Sequence, residues 1–139
     1  MRNQKGFSLI EIMVVVVILG ILASIIVPKI ISRPDEARVV KAKQDVLAIQ
    51  NALDLYKLDN GVYPTTDQGL QALVEKPTSN PAPRDWKQYL KSVPKDPWGR
   101  EYLYLNPGEH GDVDVFTLGA EGQPGGTGIN AEIGNWDAQ

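Results

Sequence analysis

Residues 12–27 carry no charged side chain, and Pro28 follows them directly. Taken as one helix from Phe7, residues 7–27 would be about 31 Å long at 1.5 Å per residue. That matches a hydrocarbon core of about 30 Å and predicts a membrane segment. Arg2 and Lys5 precede the run, so the positive-inside bias keeps the N-terminus cytoplasmic and puts the rest of the chain on the far side. A secretory signal peptide has a shorter apolar core, about 7–15 residues, followed by a small-residue cleavage site. Leu22-Ala23-Ser24 is a poor match to such a site. A plain anchor explains the length and the charge bias, but not Glu11. A carboxylate driven to mid-bilayer costs about 2.5–3.5 kcal/mol, so an acid at the start of a spanning helix calls for a partner.

The remainder is small. A chain of 139 residues allows one modest domain besides the anchor. The formal charge is −3, and loss of Arg2 and Lys5 would make it −5. An acidic domain argues against nucleic acid, which calls for a basic face. With no cysteine, the domain must rely on packing, on contacts with neighbours or on a metal. His110 is the only histidine, which excludes His-rich zinc sites. No nucleophile–base pair and no phosphate-binding glycine loop is present, so the residues argue against an enzyme. The paired acids Asp112 and Asp114 are expected on the solvent face of a strand.

Ser32-Arg33-Pro34-Asp35-Glu36 reads as a helix start, with a capping hydroxyl, a proline in the first turn and early acids. Val39, Ala42, Val46, Ile49, Leu53 and Tyr56 then form one apolar stripe. Arg38, Lys41, Lys43, Asp45 and Asp54 lie mainly off it, as a solvated face. Asp59-Asn60-Gly61 ends the helix. A short helix is expected over residues 67–74, burying Leu70, Leu73 and Val74, and another helical turn or two over 85–91. Residues 77–83 are a proline-rich loop, and Asp96-Pro97-Trp98-Gly99 is a tight turn. Alternating runs at 101–105 and 113–118, separated by a turn that begins at Asn106-Pro107-Gly108, predict an antiparallel pair.

Residues 119–139 are glycine-rich and lack periodicity, a composition for which disorder is the default. Glu121, Glu132 and Trp136 stand against that default. A buried Trp136 would pin the segment to the head, and acids on a glycine-rich loop suit the oxygen-rich coordination of calcium.

Gly6-Phe7-x-x-x-Glu11 resembles the processing and assembly motif of type IV pilins and pseudopilins. Tyr56-Lys57-Leu58-Asp59-Asn60, Tyr63-Pro64-Thr65-Thr66-x-x-Gly69-Leu70-x-Ala72-Leu73, Asp96-Pro97-Trp98-Gly99, Leu118-Gly119 and Ile133-Gly134-Asn135-Trp136 are similar to the major pseudopilins of type II secretion. The likeness runs from Lys5 to Trp136. It implies an α+β, type IV pilin-like fold. A long N-terminal helix, loosened near Pro28, would pack on a small antiparallel head with a glycine-rich C-terminal loop. The implied divisions are a leader at 1–6, a membrane and filament-core helix with hinge at 7–31, and a periplasmic head at 32–139.

The resemblance also implies roles. A prepilin peptidase would cut between Gly6 and Phe7, and the new amine would be methylated and paired with Glu11 in a homopolymeric filament. Minor pseudopilins and an inner-membrane assembly platform would be partners. The chain would span the bacterial inner membrane once before entering a periplasmic filament that drives folded proteins outward. A calcium site is implied in the C-terminal loop, formed by the side chains of Glu121 and Glu132 and the carbonyls of Leu118 and Gln123. Both carboxylates are Glu where the family shows Asp, so each reaches one methylene further. Two other readings fit the motifs less well: a type IV pilus subunit, and a membrane-tethered calcium-binding module that never polymerises.

Overall fold

The computed structural model describes residues 5–137, and the side chains of 25–32 lie outside that description. The chain forms two compact units that divide between Glu36 and Ala37. Helix α1, Leu9–Asn60, runs through both. Ser32 therefore does not start a second helix; Pro34 and the acids after it lie within α1. The loosening expected at Pro28 falls on side chains outside the described residues.

In the first unit, Ser8 caps α1: its Oγ accepts the Glu11 amide at 3.2 Å. Serine followed three residues later by glutamate is a capping-box sequence, and it satisfies a donor that the first helical turn otherwise leaves open. The apolar residues from Phe7 to Leu22 are all exposed. Among the described residues, no helical stretch is long and apolar enough to cross a membrane. The expected span at 7–27 extends into the residues whose side chains are not described.

In the second unit, the 3.6-residue period of α1 becomes packing. Val46, Ile49, Leu53 and Tyr56 are buried against Leu70, Leu73, Tyr102, Tyr104, Val113 and Val115, and Ala42 on the same stripe is also buried. Gly61 adopts φ +83° and its amide bonds the Lys57 carbonyl at 2.7 Å, which ends α1 where the Asp-Asn-Gly run predicts.

The expected helix at 67–74 is reduced to a 3-10 helix, Leu70–Leu73. Thr65 and Gln68 bond reciprocally, each amide to the other's side chain, at 3.0 and 3.1 Å. That closes a separate turn before Gly69, at φ +65°, redirects the chain. Residues 85–91 are not helical. The amides of Tyr89 and Leu90 both donate to the Leu73 carbonyl, at 2.9 and 3.0 Å, and the Trp86 indole donates to the Ala72 carbonyl at 2.8 Å. Here tertiary partners displace the local helical ones.

The sheet has three antiparallel strands in the order β1-β2-β3: Leu103–Leu105, Asp114–Thr117 and Ile133–Gly134. Leu103 faces Phe116, Tyr104 faces Val115 and Leu105 faces Asp114 across the first pair. Phe116 faces Gly134 and Thr117 faces Ile133 across the second. The C-terminal segment is thus ordered by pairing with β2, contrary to the disorder that its composition suggests.

Candidate functional site

Two places carry the candidate residues: the start of α1 and the C-terminal loop. Residues 5–8 precede the helix and have no regular secondary structure, and a side chain at Gly6 would meet no atom within 4 Å. The Gly6–Phe7 bond therefore lies in open, non-helical backbone. Glu11 sits one turn further on and is exposed. Ile10, Met13, Val14, Val17 and Ile18 line a shallow, wholly apolar groove beside it.

The C-terminal loop joins β2 to β3. Its two limbs are tied by the Ala120 amide, which donates to the Ile129 carbonyl at 2.9 Å. They approach so closely that a side chain at Gly119, where φ is +82°, would stand 2.8 Å from the backbone of residues 129–131. Glu121 lies exposed on one limb and Glu132 half-exposed on the other, with Leu118 half-buried after β2 and Gln123 exposed. Among the described residues, no group of three His, Cys, Asp or Glu side chains gathers. The available donors are two carboxylates and backbone carbonyls. They are hard oxygens on a glycine-rich loop, a set that fits calcium rather than a metal that seeks nitrogen or sulfur.

Asp96 anchors the loop's base. Its carboxylate is buried and accepts the amides of Trp98 and Arg100 at 3.0 and 2.8 Å and the Thr117 hydroxyl at 2.6 Å. The Asp-Pro-Trp-Gly turn is legible in the sequence, but its bond to the end of β2 is not.

Sequence reasoning placed Asp114 on a solvent face; the structure buries it. Its side chain is 2% exposed and lies 3.0 Å from His110 Nδ1. The amides of Glu109 and His110 also donate to it, at 2.9 and 3.2 Å. Burial pushes its pKa up, but the His110 ring and the two amides outweigh that and hold it below the ordinary carboxylate value. The His110 ring stacks on Trp136, with centroids 3.7 Å apart. Trp136 is half-buried and also leans on Phe116, so it fastens the segment as expected.

A long N-terminal helix, a short non-helical stretch ahead of it and a small antiparallel sheet packed on residues 46–56 of that helix define a type IV pilin-like subunit. The comparisons narrow that class. Residues 29–136 match the family model described as type II secretion system protein G, and residues 1–27 match the prokaryotic N-terminal methylation motif. The chain belongs to the type II secretion system protein G family.

It is 61% identical to the type II secretion system core protein G of Vibrio cholerae serotype O1, over 100% of this chain and 96% of that one. It is 60% identical to the protein of the same description from Pseudomonas aeruginosa, over 98% and 97% of the two chains. The crystal structure of the major pseudopilin from the type 2 secretion system of enterohaemorrhagic Escherichia coli matches with a TM-score of 0.69 and 45% identity. That match covers 78% of this chain and 90% of the other. The chain is accordingly a structural pseudopilin subunit of type II secretion, not an enzyme.

Proposed function

We propose that this subunit is inserted in the bacterial inner membrane through residues 7–27, cut by a prepilin peptidase between Gly6 and Phe7, and then polymerised into a periplasmic filament. Growth of that filament would drive folded proteins through the outer membrane. The observation that carries this reading is the uncovered apolar surface of α1, from Leu9 to Leu22, with Glu11 its single charge. Soluble monomers rarely expose apolar patches beyond a few hundred Å². Lipid covers the segment before assembly, and like helices of neighbouring subunits cover it afterwards. The two surroundings are similarly apolar, so transfer between them is feasible once Glu11 is neutralised.

Cleavage creates an α-amine at Phe7 with a pKa near 8, cationic at neutral pH. Among packed apolar helices it needs a counter-charge, and Glu11 of an adjacent subunit supplies one. Removing one partner from such a buried pair costs about 3–5 kcal/mol. The pair therefore sets the axial register between subunits. A second apolar row supports side-by-side packing: Val40, Leu47, Leu55 and Leu58 are exposed on the side of α1 opposite its buried stripe. Minor pseudopilins and an inner-membrane platform would start and feed the polymer. Calcium held by Glu121, Glu132 and the carbonyls of Leu118 and Gln123 would lock the C-terminal loop of each subunit.

Glu11→Ala tests the charge pair. The variant should be inserted and cleaved normally but yield few filaments when cells are sheared and the filament fraction is quantified. Normal filament yield would remove the register role of Glu11.

A further inference from the structure

Arg100 leaves the rigid Asp96 turn and reaches into the first turn of the C-terminal loop. Its Nη1 donates to the carbonyls of Gly119 and Ala120, at 3.2 and 3.1 Å. The loop is shaped around the guanidinium. Gly122 adopts φ +69°, and a Cβ there would lie 2.6 Å from Arg100 Cζ and 2.7 Å from Nε. The Gly122 amide bonds back to the Gly119 carbonyl at 3.2 Å, closing the turn over the side chain. The Arg100 backbone is itself fixed: its amide bonds the Asp96 carboxylate at 2.8 Å and its carbonyl accepts the Asp96 amide at 2.7 Å. A positive group delivered from a fixed turn to a pair of carbonyls does locally what a bound cation does, and a planar guanidinium keeps its charge at any working pH.

We propose that Arg100 is a built-in cation for this loop. It fixes residues 119–122 before any metal arrives, so the loop stays closed when divalent ions are withdrawn. Calcium then adds to a turn that already exists, instead of creating it. Only this last point rests on the calcium reading above. Arg100 acts by positioning Glu121 and the adjoining carbonyls; it has no catalytic part.

The test is hydrogen–deuterium exchange of the full chain in detergent, followed in peptides covering residues 118–132, in chelator and in millimolar calcium. In chelator, the loop of the unaltered protein should exchange at least tenfold more slowly than that of Arg100→Gln. Calcium should slow the variant strongly and the unaltered protein little. Equal exchange of the two proteins in chelator would overturn the proposal, as would an unprotected loop in the unaltered protein. Should Arg100→Gln fail to fold, Gly122→Ala keeps the charge but places a methyl where the guanidinium lies. Gly125, at φ +81° with no atom within 4 Å of a Cβ, controls for backbone strain. Faster loop exchange in Gly122→Ala than in Gly125→Ala supports the clasp, and equal exchange or full protection refutes it. If calcium slows neither protein while chelator still separates them, the metal reading fails and the Arg100 clasp stands.

Discussion

The Tyr102 hydroxyl, just ahead of β1, donates to Asp45 on α1 at 2.8 Å across 57 positions of sequence. Two further pairs repeat the arrangement. Tyr63 donates to Asp54 at 2.9 Å, and Tyr89 donates to Asp59 at 2.8 Å. Three carboxylates along one helix thus receive three phenols from separate parts of the head. In a domain without a disulfide, these bonds fix how β1 and the loops sit on α1.

Tyr102→Phe should lower stability by about 1–2 kcal/mol. A hydrogen bond to a charged group contributes about 1.5–3 kcal/mol, and Asp45 keeps a second partner. That partner is Lys41, whose Nζ is 2.8 Å away. Urea unfolding checks the value. A loss below about 0.5 kcal/mol would show that the bond only decorates the packing.

Alkali should unfold the head through its tyrosines. Burial pushes both Tyr63 and Tyr89 up to about 12, with the hydrogen bonds to Asp54 and Asp59 adding to it. Burial also raises Tyr102 and Tyr104 strongly. In the unfolded chain these phenols ionise near 10. The stability they contribute is complete below pH 10 and is lost as pH rises from about 10 towards 12. Absorbance at 295 nm and far-UV circular dichroism should change together. Tyrosine titration near pH 10 with the fold intact would contradict the assignment.

Acid should act through Asp114. Its folded value lies below the ordinary one, so its contribution is complete above about pH 4 and disappears as pH falls through the folded value. The urea midpoint should decline below about pH 4, and Asp114→Asn should flatten that decline. An unchanged acid limb in the variant would shift the origin of the decline to other carboxylates.

Calcium should raise the thermal midpoint of the full chain. At a hundredfold excess over Kd, a ligand bound only by the native state adds about 2.7 kcal/mol. Glu121→Gln and Glu132→Gln should each reduce the shift, since each removes a charged oxygen donor. Scanning calorimetry in calcium and in chelator reads the effect directly, and identical scans would exclude a site at these residues.

Much of this protein was legible before its structure. The stripe from Ala42 to Tyr56 has the helical period, and every member from Ala42 onward is buried. The two alternating runs became β1 and β2. What escaped depends on partners distant in sequence. β3 is two residues long, too short to show a period. Residues 85–91 contain helix-compatible spacing, but the amides of Tyr89 and Leu90 go to Leu73 and that of Asp85 to the Asn60 side chain. Asp114 looks like any strand acid until the amides of the preceding turn are seen folding onto it. At the loop, the two glutamates could be picked out by type, whereas Arg100 became relevant only when the Asp96 turn aimed it at residues 119–122.

The way Trp136 is seated decides where this subunit can carry a label. Its ring lies flat over Gly134, where even a methyl group would collide with it, and the Gly134 amide is bonded to the Asp137 carboxylate at 3.0 Å. A dye or epitope fused close behind Asp137 would pull on that seat and, through it, on β2. Thr78 and Asn80 offer a better attachment point: both are exposed, on a loop that Gln68 holds only through the neighbouring carbonyls of Ser79 and Pro81.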